Sequence, residues 1–252
     1  MARAINPLEM AVEPAKKELV IFFIIDTSGS MSGAKIGAVN TAIREVLPVL
    51  RGIGGSDANI KIAVLSFSTN AHWVSPPVSV EEFMWEDITA VGWTDFGAAL
   101  NRLCEKLSRK EFLNSSTGYA APVTILMSDG QPTDSWLAPL ELLRQNNWFK
   151  VATRIAIAIG NDADKKVLEA FTGSPQAVLV SHTPEDLKKL IKIVTLTSSQ
   201  IGSKNTAINV GNMFGDRNTV AQQLTVSAIK TSIQLDPDLA ANLYDDEIDD
   251  DF

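Results

Sequence analysis

The chain has 252 residues, 45% of them hydrophobic, and a formal net charge of −8. This length allows one sizeable domain with an appendage and does not require two domains. The negative charge argues against a basic nucleic-acid-binding surface, and the single cysteine, Cys104, excludes an intramolecular disulfide and a Cys/His zinc cluster.

Six short apolar segments predict the β-strands of one sheet. Several of them are continuous rather than alternating, which is typical of parallel strands covered on both faces. The segment 71–80 contains Pro76 and Pro77, so we expect it to be an antiparallel edge strand or a hairpin. The predicted strands are Leu19–Ile25, Ile62–Phe67, Ala71–Val80, Val123–Met127, Ile155–Ile159 and Ala177–Val180.

Apolar residues at helical spacing predict helices between these strands. The expected helices are residues 36–50, 96–107, 136–148, 164–171, and a last one that begins after Thr183. Gly173 is expected to end the fourth helix, and Thr183, Pro184 and Asp186 form a typical start for the last one. Strands that alternate with helices in this way predict a doubly wound α/β fold, with a mostly parallel sheet flanked by helices on both faces.

The composition divides the chain into three parts. Residues 1–16 form an N-terminal extension, 17–203 the α/β domain, and 204–252 a polar C-terminal extension. Weak alternation over Val220–Ile233 predicts either a strand or a short helix. The final segment, Leu243–Phe252, carries six acidic residues, which leaves 22 basic and 24 acidic residues elsewhere. We expect it to be a mobile acidic tail, either merely solvating or able to bind a partner.

The sequence also predicts where the protein is found. Met1 to Lys17 contains no apolar segment of signal-peptide length, and no apolar run approaches the roughly 18 to 20 residues that cross a bilayer. We therefore expect a soluble, cytoplasmic protein with no membrane or nucleic-acid partner.

Oxygen-bearing side chains follow two of the predicted strands and precede one helix. The sequence Asp-Thr-Ser-Gly-Ser at residues 26–30 follows the first strand, Thr94 precedes the helix that starts at Phe96, and Asp129 follows the strand 123–127. The carboxyl ends of parallel strands form the binding edge of such folds, and these oxygens suit Mg²⁺, Mn²⁺ or Ca²⁺. Alternatively, the serines cap the next helix and Asp129 caps a turn. The five candidate metal-site residues are Asp26, Ser28, Ser30, Thr94 and Asp129.

These pieces, in this order, resemble the metal-ion-dependent adhesion site (MIDAS) of the von Willebrand factor A (VWA) domain family, whose pattern is Asp-x-Ser-x-Ser, a later Thr and a later Asp. The resemblance covers about residues 17–202 and implies a Rossmann-like VWA fold. It also implies that Ser28 and Ser30 bind Mg²⁺ directly and that Thr94 binds directly or through water. Asp26 and Asp129 would act mainly through waters, so the metal keeps a preference for an Asp or Glu of a partner protein.

One residue departs from the family pattern. The family usually has glycine where this chain has Trp93. This tryptophan either lines a partner-binding rim or packs inward against Phe96, and interfaces are enriched in tryptophan. The neighbouring Asp95 is expected to be the N-cap of the following helix.

Catalysis is not expected. His72 and His182 are predicted to be surface or capping residues, and Cys104 a buried, inert thiol. The enzymatic alternative is a Mg²⁺-dependent phosphatase of the haloacid dehalogenase type, with Asp26 as nucleophile. It needs a second acid where Ser28 stands and a lysine near the site, which no loop supplies.

The predicted function is therefore metal-dependent protein binding by an adaptor. The chain most resembles the stand-alone, tellurium-resistance-associated bacterial members of the family, which implies stress or signalling complexes with kinase, phosphatase or ATPase partners. Two alternatives make the acidic tail the binding element: it docks on a basic groove of a partner, or one of its carboxylates fills the metal site.

Overall fold

A six-stranded sheet with the order β3-β2-β1-β4-β5-β6 lies at the centre of the computed structural model. The structure describes residues 16–53, 58–161, 163–204 and 216–244. β3 pairs antiparallel with β2 at one edge, and all other neighbouring strands are parallel. The strands are β1 (Lys17–Asp26), β2 (Ala58–Ser68), β3 (Asn70–Ser79), β4 (Val123–Ser128), β5 (Thr153–Ile159) and β6 (Val178–Ser181).

Helices cover both faces of the sheet, which confirms the predicted doubly wound fold. At the start of α6, Thr183 Oγ1 accepts from the backbone N–H of Asp186, and Asp186 Oδ2 accepts from that of Thr183, each at 3.1 Å. This reciprocal cap is the one that the sequence predicts. The helices are α1 (Ala34–Ile53), α2 (Phe96–Lys106), α3 (Leu137–Gln145), α4 (Asn147–Val151), α5 (Lys165–Thr172), α6 (Pro184–Lys204), α7 (Asp216–Gln234) and α8 (Pro237–Tyr244).

The apolar run of β1 is continuous because both of its faces are buried. Side chains alternate across a strand, so Leu19, Ile21 and Phe23 face one layer and Val20 and Phe22 the other. The first layer contains α1, α6, α7 and α8, and the second contains α2 to α5. β1 is thereby held rigidly, and so is the residue that ends it.

The helix predicted over residues 136–148 is wrong in one respect, because it consists of two helices, α3 and α4. Asn146 separates them with extended backbone, φ −65° and ψ 127°. Its side-chain oxygen accepts from the backbone N–H groups of Trp148 and Phe149, at 2.8 and 3.2 Å. Asparagine is a strong N-cap residue, so it ends one helix and starts the next.

The C-terminal extension contributes to the core. The segment 220–233 belongs to the 19-residue helix α7, which packs against α6 and β5. The buried apolar side chains of α7 form a narrow stripe that is flanked by Gln, Thr and Ser residues. The sequence pattern therefore fits a strand as well as a helix. Leu243 and Tyr244 end α8, while residues 245–252 of the expected tail and 1–15 of the N-terminal extension lie outside the described residues. None of the described helices is long and apolar enough to cross a membrane.

Candidate metal centre

The candidate residues lie where the strand order reverses. From β1 the chain continues through α1 to β2 on one side, whereas β4 lies on the other side of β1. In open α/β sheets, a crevice forms at the carboxyl ends of two such strands. Asp26 ends β1, and Asp129 follows β4. Ser128 Oγ donates to Asp26 Oδ2 at 2.6 Å, which joins the two strands across the crevice.

The turn after β1 presents two adjacent hydroxyls. Asp26 Oδ1 accepts from the backbone N–H of Ser28 at 2.8 Å, which fixes the turn. Ser28 Oγ and Ser30 Oγ are 3.0 Å apart, with Ser28 buried and Ser30 exposed. Ser28 stands at the N-cap of the short turn that follows, but its side chain makes no capping hydrogen bond, so the capping alternative for Ser28 is not what the structure shows.

A loop comprising residues 91–95, here called the Thr94 loop, is attached to this turn by backbone hydrogen bonds. Val91 N–H donates to the carbonyl of Thr27 at 2.7 Å, and Gly29 N–H donates to the carbonyl of Gly92 at 3.0 Å. Gly92 has φ +94°, and a Cβ there would lie 2.6 Å from Thr69 Oγ1. Only glycine fits this conformation without strain, so the close approach of the loop depends on it.

The third part of the crevice is the segment after β4. The backbone N–H of Thr94 donates to Thr133 Oγ1 at 3.0 Å, and Thr133 N–H donates to the carbonyl of Thr94 at 2.9 Å. Thr94 is buried. The structure therefore brings all five predicted residues to one edge of the sheet, on three connected loops.

Two buried carboxylates lie in this crevice, and among the described residues no cation lies within hydrogen-bonding distance of either. Burial raises the pKa of Asp26 above its ordinary value, and the charge of Asp129 raises that pKa further, against hydrogen bonds from Ser128 and Ser28 that lower it. Asp129 is 1% exposed, and its Oδ1 has no hydrogen-bond partner among the described residues. A raised carboxylate pKa and an orphan oxygen both indicate that positive charge is missing here.

Lys35 is the cation that pairs with Asp129 among the described residues, and sequence reasoning missed it. Its Nζ is 3.9 Å from Asp129 Oδ2. Lys35 lies in the first turn of α1 rather than on a loop, so a search of the loops for a lysine could not find it. The only sequence feature that could have indicated Lys35 is its position near the start of α1, the helix that follows the candidate turn.

The structure decides between the two alternatives for Trp93 and places Asp95 at the expected N-cap position without a capping side chain. Trp93 does not pack inward against Phe96: it is 68% exposed, and Trp136 contacts Phe96 instead, with ring centroids 6.2 Å apart. Asp95 stands at the N-cap position but its side chain does not cap α2. It accepts from the backbone N–H of Asn70 at 2.8 Å instead.

Asp134 takes over the capping of α2. Its two carboxylate oxygens accept from the backbone N–H groups of Gly97 and Ala98, at 2.9 and 3.0 Å. This contact connects α2 to the segment that follows β4, so it also supports the crevice. A cap from a residue 37 positions away leaves no local sequence signal.

Replacing Asp134 by alanine is expected to lower the free energy of unfolding by about 1 to 2 kcal/mol, the upper half of the usual range for a lost N-cap. Urea denaturation at neutral pH measures this. Asp238→Ala is a matched control with the same change of charge, because the Asp238 side chain is 92% exposed, and its effect should stay within about 0.5 kcal/mol. Equal effects of the two substitutions would contradict the capping role.

The remaining polar candidates have local partners. His72 is exposed, and its Nε2 is 3.0 Å from Ser66 Oγ. His182 Nδ1 contacts Asn161 Oδ1. Cys104 is only half-buried on α2, and burial raises the pKa of its thiol, which fits an unreactive cysteine.

The donor set fits a hard divalent cation. The described residues contain no group of three or more His, Cys, Asp or Glu side chains placed to hold a metal. Hydroxyl and carboxylate oxygens make up this crevice instead, and such oxygens suit Mg²⁺, Mn²⁺ and Ca²⁺. The orphan oxygen of Asp129 is the observation that most directly fits a bound cation or its water.

Comparisons with known proteins point to one family. The family model for the von Willebrand factor type A domain matches residues 21–195, more than half of the chain. A human relative, inter-alpha-trypsin inhibitor heavy chain H6, is 29% identical over 174 residues, which cover 63% of this chain and 12% of that protein. The chain therefore spans only a small part of this relative's length.

The solved structures that share the fold include two that carry different names and come from different sources. Proximal thread matrix protein 1 from the mussel byssus, with a zinc-occupied MIDAS motif, has a TM-score of 0.54 and 19% identity, and the match covers 71% of this chain and 47% of that one. The ArnB paralog VWA2 from Sulfolobus acidocaldarius has a TM-score of 0.52 and 18% identity, with coverage of 70% and 45%. Likeness at these identities shows the fold alone.

Proposed function

The chain belongs to the von Willebrand factor type A domain family, and we propose that it is a protein-binding module whose contact with its partner depends on a divalent metal. VWA domains bind a divalent metal at the MIDAS and commonly use it for protein–protein interaction. The observation that carries the proposal is the orphan Asp129 oxygen in a crevice that also contains buried Asp26 and the Ser28–Ser30 hydroxyl pair.

Each residue has a role in this proposal. Ser28, Ser30 and Thr94 hold the ion through their hydroxyls, and Asp26 and Asp129 hold its waters. Asp26 also orients Ser28 through the hydrogen bond to its backbone N–H. Three neutral hydroxyls leave most of the ion's charge uncompensated, so the bound ion supplies an electrophilic position for an Asp or Glu of the partner.

Mg²⁺ is the proposed ion, with Mn²⁺ or Ca²⁺ as substitutes. Hydroxyl and carboxylate oxygens are hard ligands, and Mg²⁺ usually keeps several waters, as a set with few charged ligands allows. The mussel protein's zinc-occupied site shows that a MIDAS on this fold also accepts a softer ion. Zn²⁺ therefore belongs among the ions to be compared.

An apolar rim beside the site indicates what the partner presents. Val91 and Trp93, which flank Gly92 in the Thr94 loop, are 71% and 68% exposed. Exposed tryptophan is typical of binding surfaces. We propose that the partner's acidic residue is accompanied by an apolar side chain that packs on this rim.

One feature of the structure supports the phosphatase alternative, and another argues against it. Lys35 lies on α1, 3.9 Å from Asp129, and supplies the lysine that no loop offers. However, both oxygens of Asp26 already accept hydrogen bonds, from Ser28 N–H and Ser128 Oγ, and Ser28 occupies the place of the second acid. A carboxylate held in this way is a poor nucleophile, so we infer that the protein is not an enzyme.

The narrower assignment is also a proposal. We infer a cytoplasmic adaptor similar to the stand-alone, tellurium-resistance-associated bacterial proteins, with kinase, phosphatase or ATPase partners. The near-neutral globular part and the acidic segment at residues 245–252 support a role among proteins rather than on nucleic acids. Proteins retained by the immobilised chain in Mg²⁺ and released by a chelator would identify the partners.

Titration with Mg²⁺ and Mn²⁺ tests the metal site without a known partner. We expect a saturable rise in melting temperature, because an ion that binds only the folded state stabilises it. Acidification should weaken this binding. Since the pKa of Asp26 is raised, the folded protein takes up a proton there before the unfolded chain does, and protonation opposes the cation. A melting temperature that does not change when Mg²⁺ or Mn²⁺ is added at pH 7.5 would contradict the proposal.

A further inference from the structure

A cavity of about 570 Å³ lies near the amino end of β5, whereas the candidate metal centre lies at the carboxyl ends of β1 and β4. It is bounded by Arg154 near the start of β5, by the turn 172–174 after α5, and by one side of α7 with Gln222 and Lys230. Its volume is within the range of small-molecule binding sites.

The charge of this cavity is opposite to that of the chain. Arg154 and Lys230 line it, and none of its lining residues is Asp or Glu, although the sequence has 30 acidic and 22 basic residues. Within the described part of the chain, neither cation forms an ion pair. Two unpaired cations around one cavity create a local site for an anion.

Arg154 is fixed in place before any ligand arrives. Its guanidinium carbon is 5.3 Å from the centroid of the Phe149 ring. Gln222 holds its backbone from α7, because Gln222 Oε1 accepts from Arg154 N–H at 3.2 Å and Gln222 Nε2 donates to the Arg154 carbonyl at 3.0 Å. A guanidinium positioned in this way loses little freedom when it binds a ligand.

The same guanidinium is incompletely satisfied. Its Nε is buried and has no hydrogen-bond partner among the described residues. Burial lowers the pKa of Arg154, and the nearby charge of Arg144 lowers it further, although arginine stays protonated in proteins. Burying a charged group without a counter-ion destabilises the folded state. An anion bound in this cavity would therefore stabilise the folded state.

We propose that this cavity binds a small organic oxyanion, with a carboxylate or phosphate group against Arg154 and Lys230. Planar guanidinium groups bind both kinds of oxyanion through paired hydrogen bonds. Buried Val226 adds an apolar wall for the carbon part of the ligand. The bound anion connects β5 to α7, so it stabilises the attachment of the C-terminal helices to the sheet.

Titration of the metal-free, full-length protein with inorganic phosphate and with succinate tests this at constant ionic strength, with chloride as reference. Thermal melting measures stabilisation, and ¹⁵N-edited NMR locates the site. We expect a saturable rise in melting temperature together with shifts of the Gly173 backbone and Gln222 side-chain amide signals. A response to phosphate alone, to succinate alone or to both assigns the ligand class, and a response to neither overturns the proposal.

Substitutions separate the site from general ion effects. Arg154→Met should abolish the stabilisation, and the exposed Lys230→Gln should weaken the apparent affinity about threefold to tenfold, as for one charge-assisted contact. Arg102→Gln is the matched control, since Arg102 pairs with Glu105 on α2 and should respond like wild type. If Arg154→Met does not fold, Lys230→Gln decides. A response of Lys230→Gln and Arg102→Gln equal to that of wild type overturns the proposal.

Discussion

Replacing Thr94 by alanine is expected to abolish metal-dependent partner binding while leaving the fold intact. The Thr94 backbone, not its hydroxyl, makes the two hydrogen bonds to Thr133, so these bonds survive the substitution. Among the described residues, the Thr94 hydroxyl makes no hydrogen bond that holds the fold together, which leaves the metal as its proposed partner. We expect the affinity for Mn²⁺, measured by calorimetry, to fall by about 10- to 100-fold or more, since even indirect metal contacts contribute that much.

Thr41→Ala provides the matched control for this prediction. Thr41 is a threonine on α1 whose hydroxyl donates only to the carbonyl of Gly37 in its own helix, at 2.9 Å. The control should bind Mn²⁺ like wild type. Unchanged Mn²⁺ affinity in Thr94→Ala, with an unchanged far-ultraviolet circular dichroism spectrum, would remove Thr94 from the site.

Asp26→Ala is the less informative substitution, contrary to what its place in the motif suggests. Its carboxylate accepts from the Ser28 backbone and from Ser128 Oγ, both buried. Alanine would leave these two donors unpaired, at about 1 to 3 kcal/mol each, while it also removes an unfavourably buried charge. A loss of binding in Asp26→Ala would therefore mix a lost ligand with a damaged fold.

The fold could be predicted because its determinants are local. The seven apolar residues Leu19–Ile25 predict a strand that is buried on both faces. Thr183 and Asp186, which lie only three positions apart, predict the start of a helix. The convergence of Asp26, Thr94 and Asp129 follows from strand order in a doubly wound sheet. These patterns depend on neighbours in sequence or on rules that apply to every parallel sheet.

The missed features depend on residues far apart in the chain. Asp134 caps a helix that starts 38 residues earlier, and Lys35 approaches Asp129 only after α1 packs on the sheet. Trp93 is exposed, whereas Trp136, 43 residues later, contacts Phe96. Gln222 binds the β5 backbone from α7, although its neighbours in sequence suggest a solvated segment. No local pattern encodes such contacts, which require the tertiary structure.

A chain shortened to end at Lys204, near the boundary that composition suggests, is expected to lose most of its stability. It lacks α7 and α8, and with them four buried apolar side chains, Val226, Ile229, Ile233 and Leu239. At roughly 1.5 to 3 kcal/mol for each buried side chain, the loss is about 6 to 12 kcal/mol, comparable to the whole stability of an ordinary domain. Denaturant unfolding monitored by tryptophan fluorescence measures it.

A chain that ends at Tyr244 is the control for this truncation, because it keeps every described contact of α7 and α8. Its free energy of unfolding should stay within about 0.5 kcal/mol of the full chain. The shortened chain should instead unfold at low denaturant or aggregate, since removal of α7 uncovers the apolar surface against which it packs on α6 and β5. If both truncated chains unfolded at the midpoint of the full chain, α7 and α8 would be an appendage, as composition suggests, and not part of the core.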